Sequence, residues 1–269
     1  ISNDDFIRTS VEDRLKKGAQ KLWLACNPED IYKKKYRGLY CVGCEEFKTS
    51  KDLVDNRCLE HPAQEIQNVS EENYFFRLSN YQKQLEEILE SGEVKIIPET
   101  RKNEILSFVK SGLEDFSISR SVERANNWGI EVPNDKTQIM YVWIDALSNY
   151  ISALDYSDDG EKFKKYWVSG DEITHLIGKN IIRFHAVYWL AFLISAGIRL
   201  PSNIFVHGFL NINGQKMSKS IGNVVDPLEV VKKYGVDATR YYLLSEIPSG
   251  EDGDFSFEKF EARYNGNLA

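Results

Sequence analysis

Beyond Asp115 the chain alternates short, almost wholly apolar runs with helical patterns, and that order leaves few architectures open. Residues 139–144 form the clearest run, as expected of a strand buried on both faces of a parallel sheet. A helical pattern over 146–154 follows it. Residues 167–168 and 176–177 are short strand candidates, 180–196 a strongly apolar helix, and 204–210 a further strand. Strands and helices in alternation predict an α/β fold, a doubly wound parallel sheet with helices on both faces. From Pro227 the pattern turns helical again, through Leu228, Val231 and Tyr234 and then Ala238, Tyr241, Tyr242 and Leu244.

The N-terminal part is organised differently. Val11, Leu15, Ala19, Leu22, Trp23 and Cys26 recur at helical spacing, with Ser10 placed to cap and Asp13 in the first turn. This helix is expected to end near Asn27 and Pro28. Residues 36–41 are extended, 73–78 are a short strand or a helix entry, and helices are expected over 81–89 and 104–112. The 269 residues suffice for one large α/β unit with one or two small appended ones. The longest apolar run, 186–198, is too short to span a bilayer, and the first residues carry no signal-peptide pattern. No membrane role is expected, and the compartment is expected to be the cytoplasm or an organellar matrix. The net charge of −7 repels phosphate, so a nucleic-acid partner must use a local basic surface.

Cys41-x-x-Cys44 and Cys58-x-x-His61 are two paired half-sites with thirteen residues between them. Three thiolates and an imidazole in tight knuckles suit tetrahedral zinc, and the absence of an activated-water position favours a structural ion. Cys26 belongs to the apolar face of the first helix. The basic run 33–37 beside the knuckle is either a solvated face or a phosphate contact.

Residues 213–220 carry the strongest chemical signal. A turn dipeptide, Asn213-Gly214, follows an apolar strand, and Lys216 and Lys219 stand three residues apart beside Met217, Ser218 and Ser220. Such a loop can bring two ammonium groups to a polyphosphate. Fixed cations lower the barrier when an α-phosphate is attacked and pyrophosphate leaves.

The Lys216–Ser220 stretch, Lys-Met-Ser-Lys-Ser, matches the signature loop of class I aminoacyl-tRNA synthetases letter for letter. Residues 141–150 and 177–189 resemble the pocket strand and pocket helix of the methionyl-tRNA synthetases. Residues 116–120 resemble their re-entry into the nucleotide-binding fold. The resemblance covers nearly the whole chain. It implies ATP with Mg²⁺, methionine and tRNA(Met) as partners, and Lys216 and Lys219 as stabilisers of the adenylation transition state. Carried over by position, Trp143, Ala146, Tyr150, Ile181, Phe184 and His185 become methionine contacts. Tyr188 and Trp189 join them in an aromatic lining that suits a polarisable thioether. Arg120 becomes a charged organiser of the amino-acid end. Gly178, Lys179, His207, Gly208 and Leu210 become ATP-side contacts, together with Met217, Ser218 and Ser220. Asn180, also on the substrate side, stands where the family usually has aspartate, and an amide supplies no negative charge.

The resemblance further implies four segments. Residues 1–34 end the first half of a Rossmann-like catalytic fold. A connective insertion with the zinc knuckle takes 35–115, the second half of the catalytic fold 116–210, and the lysine loop with a stem-contact region 211–269. The four histidines, His61, His175, His185 and His207, do not form the histidine-rich motif that the family carries near its N-terminus. The chain is therefore expected to be a fragment, also lacking the anticodon-binding domain and inactive in adenylation by itself. Two alternatives stay open: another class I specificity, or a non-catalytic synthetase-like module that binds zinc and RNA.

Overall fold

The computed structural model describes residues 3–9, 12–44, 46–48, 52–59, 61–217 and 222–268, with the backbone alone at 36, 46 and 47. In chain order the elements begin with α1 (Asp13–Ala25), β1 (Ile31–Cys41), β2 (Glu46–Lys48), β3 (Leu53–Val54), β4 (Arg57–Cys58) and β5 (Ile66–Phe76). Next come α2 (Gln82–Ser91), β6 (Lys95–Ile97), α3 (Glu99–Lys110), β7 (Phe116–Ser117), β8 (Ser119–Ser121), β9 (Glu131–Val132), β10 (Asp135–Met140) and α4 (Val142–Ser152). The remainder comprises β11 (Thr174–Gly178), α5 (Leu190–Ser195), β12 (Asn203–His207), β13 (Leu210–Ile212), β14 (Gln215–Lys216), α6 (Pro227–Tyr234), α7 (Val236–Glu246), β15 (Gly253–Phe255) and α8 (Phe257–Asn267). The chain divides into two compact units. One takes Ile1–Leu85, Ser111–Asp171 and Tyr188–Leu200, the other Glu86–Lys110, Glu172–Val187 and Pro201–Ala269.

In the first unit, α1 buries Leu15, Ala19, Leu22 and Trp23, the face expected from the spacing. Glu12 stands at its N-cap; its carboxylate accepts the Arg8 N–H at 2.7 Å and pairs with Arg14 at 2.6 Å. Ser10 and Val11 lie outside the described residues. Helix α1 packs on α4. A Cβ added to Gly18 would stand 2.0 Å from Ser152 Oγ. Ser148 and Ser152 are both fully buried, their hydroxyls donating to the Asp145 and Ser148 carbonyls at 2.8 Å. Small residues whose polar atoms are satisfied locally thus line a close helix–helix seam.

After α1 the chain turns at Asp30, 3% exposed, whose carboxylate accepts bonds from Tyr81, from Ser195 at 2.7 Å and from Asn80 at 3.2 Å. Strands β1 and β5 then pair antiparallel without interruption from Ile31↔Phe76 to Cys41↔Ile66, in a sheet of order β2-β1-β5-β7. Both strands extend well before the stretches expected at 36–41 and 73–78.

Two expectations are corrected here. Residues 139–144 are not one parallel strand. Strand β10 ends at Met140 and pairs antiparallel with β8 and β9. Tyr141 is extended, at φ −64° and ψ 135°, and α4 begins at Val142. A continuous apolar run suits a buried strand or a buried helix equally. Here Ile144, Leu147, Ser148 and Ile151 are buried at helical spacing. Residues 167–168 close a π-helical turn, Phe163–Val168, rather than a strand. Phe163 and Trp167, four residues apart, are its buried positions, and Trp167 Nε1 donates to the Arg199 carbonyl at 3.0 Å.

The second unit holds the parallel sheet, with three strands among the described residues in the order β11-β12-β6. Thr174↔Asn203 through Gly178↔His207 pair β11 with β12, and Lys95–Ile97 pair with Asn203–Phe205. A second sheet, β14-β13-β15, packs with α6, α7 and α8 around Ile212, Val230, Ala238, Tyr242, Phe255 and Phe260. Helix α6 has strong local signals. Asp226 accepts the Leu228 N–H, Pro227 opens the first turn, lysines fill the last, and Gly235 leaves at φ 88°. No helix among the described residues is long and apolar enough to cross a membrane.

The α1–α4 seam generates a test. Gly18→Ala is expected to cost about 1–3 kcal/mol through overpacking. In a thermal melt this appears as a fall of roughly 2–10 °C. An unchanged melting temperature would mean that the seam yields freely.

Candidate functional site

Strands β11 and β12 bring two of the sequence-predicted segments to one edge of the parallel sheet. Gly178 lies opposite His207, so Lys179 leaves one strand where Gly208, Phe209 and Leu210 leave the other. The carboxyl ends of adjacent parallel strands are where open α/β sheets bind ligands. His207 Nδ1 faces the Gly208 carbonyl at 2.8 Å. Gly208 has no room for a side chain, since an added Cβ would meet Glu251 O at 2.1 Å. The close backbone approach brings in a residue that the sequence analysis did not single out, Asp252. Its carboxylate accepts from Lys179 Nζ at 2.7 Å and from the Phe209 N–H at 2.9 Å. Those two donors, Lys179 first, hold its carboxyl below the usual range.

Phe209 was likewise missed. Its ring carries two ammonium groups, Lys179 Nζ at 4.6 Å and Lys216 Nζ at 5.3 Å from the centroid. Neither Phe209 nor Asp252 has a sequence signal of its own; what joins them is tertiary. Lys216 reaches the ring because Asn213 (φ 50°) and Gly214 (φ 75°) make a two-residue turn between β13 and β14. The Gly214 N–H donates to the Asp254 carboxylate at 2.6 Å, which ties the turn to β15. Met217 packs against the apolar core of the second unit. Ser218, Lys219 and Ser220 lie outside the described residues.

The predicted amino-acid contacts fall in both units. In the first, Trp143, Ala146 and Tyr150 share one face of α4 at three- and four-residue steps, all half-buried. Burial pushes the Tyr150 hydroxyl up to about 12, so it stays a donor. Its ring lies 6.2 Å from that of Trp189, which is fully buried and meets Trp167 edge to face at 6.1 Å. Tyr188 stacks on Phe116 at 4.2 Å. Arg120, on β8 opposite Ile139, lines a cavity of about 600 Å³ with Arg124, Trp128 and Asp145. In the second unit Asn180 is exposed, while Ile181 and Phe184 are half-buried. His185 is buried, with Nδ1 2.9 Å from the Ile181 carbonyl and its ring 6.1 Å from buried His175.

The two metal half-sites converge. The ligand atoms of Cys41, Cys44, Cys58 and His61 all lie within 4.8 Å of one another. Cys44 Sγ stands 3.4 Å from Cys58 Sγ and 3.2 Å from His61 Nδ1. Sulfurs on one tetrahedral zinc, each at about 2.3 Å, would be roughly 3.8 Å apart, close to this spacing. Burial, then the thiols of Cys58 and Cys41, push the Cys44 thiol up, so a cation is needed for the thiolates to form together. The donor set therefore fits a metal ion. Cys41 ends the β1–β5 ladder, and Asp55 and Asn56, both at positive φ, make the β3–β4 turn that presents Cys58. Gly43 is required at the turn, because a Cβ there would stand 2.5 Å from His61 Cγ. Of the basic run, Lys33 lies toward the other end of β1 from Cys41, where it is drawn inward to Asp135 at 2.8 Å and lies over the Tyr74 ring at 4.9 Å.

Residues 48–269 match the family described as tRNA synthetases class I (M). The chain is 49% identical over 273 residues to the methionine–tRNA ligase of Caldanaerobacter subterraneus subsp. tengcongensis, covering 100% of this chain and 41% of that protein. It is 49% identical over 275 residues to that of Brucella suis biovar 1, covering 100% and 52%. The crystal structure of Mycobacterium tuberculosis methionyl-tRNA synthetase bound by methionyl-adenylate aligns with a TM-score of 0.89 at 45% identity, covering 100% of this chain and 52% of that one. The chain thus spans about half the length of these relatives.

Two measurements follow from the site. Chelation should lower the melting temperature, and Gly43→Ala should weaken metal retention on the order of tenfold, as losses of supporting contacts around metal sites do. Metal analysis under competing chelator checks this, and equal retention would refute the packing role of Gly43. His175 gives a pH test. Burial, with His185 beside it, lowers its pKa to about 3, so between that value and 6.5 the unfolded chain binds the extra proton. Stability should therefore fall as pH drops through this window, by up to about 1.4 kcal/mol per unit from this group. His175→Leu should flatten denaturant midpoints measured between pH 7 and 4; an unchanged slope would refute the assignment.

Proposed function

The chain belongs to the class I tRNA synthetase family of the methionyl type, and from that membership we propose that its protein activates methionine with ATP and transfers it to tRNA(Met). The observation that carries the nucleotide half is the pair of ammonium groups, Lys179 and Lys216, on one aromatic ring at the carboxyl edge of β11 and β12. Gly178, His207, Gly208 and Leu210 lie on the ATP side. Met217, Ser218 and Ser220 belong to the same loop segment. In the first unit Trp143, Ala146, Tyr150, Tyr188 and Trp189 serve the methionine side chain, with Arg120 at its charged end. In the second, Asn180, Ile181, Phe184 and His185 do so.

The reaction follows from these charges. The methionine carboxylate attacks the α-phosphorus of ATP, the bond to the bridging oxygen breaks, and pyrophosphate leaves. Negative charge grows on that oxygen. The ammonium groups of Lys216 and Lys219 stabilise it. Mg²⁺ travels with ATP and supplies further neutralisation of the phosphates. Tyr150 remains protonated and donates a hydrogen bond. A ribose hydroxyl of the terminal tRNA adenosine then attacks the methionyl carbonyl of the adenylate, loses its proton and forms the ester, while the carbonyl–phosphate bond breaks and AMP leaves.

The ion at Cys41, Cys44, Cys58 and His61 is proposed to be structural zinc, which supplies folding energy to the knuckle and no chemistry. Residues 1–34 and 116–210 are proposed as the two parts of the catalytic fold, and 211–269 as the lysine loop with its stem-contact region. Residues 35–115 are proposed as the connective insertion with the knuckle, within which β6 pairs with β12 of the parallel sheet. The cytoplasm, where translation runs, is the proposed compartment.

Amino-acid-dependent ATP–pyrophosphate exchange by the full-length protein tests this, with methionine, leucine, isoleucine, valine and cysteine assayed separately. Exchange with methionine alone is expected; a different substrate would sink the methionine assignment. Lys216→Ala should lower the exchange rate roughly 10²–10³-fold, as loss of a transition-state donor does. Methionine affinity should hold. Equal loss of both would make the loop structural.

A further inference from the structure

The two lysines on the Phe209 ring are not equivalent. Lys179 is paired at 2.7 Å with Asp252, and its side chain is 24% exposed. Lys216 is exposed, and among the described residues its ammonium lies over the Phe209 ring. A ring face is a weaker partner for an ammonium group than a carboxylate or phosphate. Lys216 is thus held in place yet easily transferred to an arriving anion, and Lys179 is not.

Asp252 is itself fixed by the backbone. One carboxylate oxygen takes the Lys179 ammonium and the other takes the Phe209 N–H at 2.9 Å. The Phe209 carbonyl accepts the Gly253 N–H at 2.9 Å. Gly208 lies against the Glu251 carbonyl with no space for a Cβ. The segment that carries Asp252 is therefore seated on the one that carries the shared ring. Lys179 and Lys216 contribute two positive charges at the ring and Asp252 one negative, so these three groups together carry a net charge of one.

We propose that Asp252 is a positioning residue for the polyphosphate step: it holds Lys179 in an ion pair away from phosphate and leaves Lys216 as the ammonium that Phe209 presents to the anion. The inference rests on the methionine-activation reading of this site and deepens it. It assigns the two lysines different tasks. Lys179 fixes the end of β11 against the 251–253 segment, while Lys216 moves from ring to phosphate. Trimming the local charge to one also favours release, because an additional free ammonium would retain the departing pyrophosphate.

The probe is inorganic pyrophosphate, titrated calorimetrically into the full-length protein and its variants. Asp252→Asn removes the negative charge while its carbonyl still accepts the Phe209 N–H. It should bind pyrophosphate more tightly, by about tenfold for one freed charge in a partly exposed site. Lys179→Met should bind more weakly than wild type. The double variant restores the net charge and should return to within about threefold of wild type, the scatter expected of coupled sites. Methionine affinity should stay constant throughout, and a merely structural role of Asp252 would not produce a gain in pyrophosphate affinity that the double variant reverses. The proposal is overturned if wild type fails to bind pyrophosphate, if Asp252→Asn gains nothing, or if the double variant stays as weak as Lys179→Met. The last result would make Lys179 a direct phosphate contact. Should Asp252→Asn fail to fold, Asp252→Ser replaces it, since a hydroxyl also accepts the Phe209 N–H. Methionine-dependent exchange by the wild type is measured alongside. Its absence, with the pyrophosphate affinities as expected, sinks the functional reading alone.

Discussion

The register of β11 on β12 is the constraint on which the cluster of Lys179, Phe209, Lys216 and Asp252 depends. Five consecutive pairs run from Thr174↔Asn203 to Gly178↔His207. A slip of one residue would turn every side chain to the opposite face, and the buried pattern forbids it. His175 and Ile177 from one strand, with Ile204 and Val206 from the other, are almost wholly inaccessible. The neutral state of His175 is part of that arrangement, because burial, with His185 beside it, disfavours the charged imidazole. Once the register is set, Lys179 and Gly208 emerge side by side. The chemistry is then decided by what the chain after each strand end meets.

The first unit solves a different problem. Its long β1–β5 ladder carries Cys41 to one end and begins beside Asp30 at the other. A buried carboxylate is costly unless each oxygen is bonded. Asn80 and Tyr81 from one stretch of chain and Ser195 from another provide three donors. The same ladder therefore runs between two polar anchors, one a hydrogen-bonded acid and the other a thiol–imidazole cluster suited to a cation. Hydrophobic burial lies between them, in Phe75, Phe76 and Val69.

Much of this was legible in the residues, for identifiable reasons. Two short knuckles with ligand spacing leave few structures possible, and the cluster forms as expected. The face of α1 follows from periodicity, and the turn at Asn213-Gly214 from backbone sterics. The 139–144 run misled because burial on all sides erases the period that separates strand from helix. The correction matters chemically: as a helix, α4 aligns Trp143, Ala146 and Tyr150 on one face, which a strand would not do. Strand β6, three residues between two helices, is too short to declare itself. Phe209 and Asp252 were invisible for a further reason. An isolated phenylalanine or aspartate has no local signature, and their roles exist only because the tertiary fold brings Glu251–Gly253 against Gly208.

The charge balance joins these observations. A chain of net charge −7 repels a polyphosphate at long range, so binding must come from a small local field. At the carboxyl edge of the parallel sheet, two lysines and one aspartate around a single ring contribute to that field among the described residues. An unpaired cluster of ammonium groups would repel itself before any anion arrived. The aspartate removes that penalty for one lysine, and the ring face accommodates the other without neutralising it. The balance keeps one cation available and the loop that carries it weakly held. The proposed pyrophosphate step, in which a leaving group is bound in the transition state and released afterwards, requires both properties.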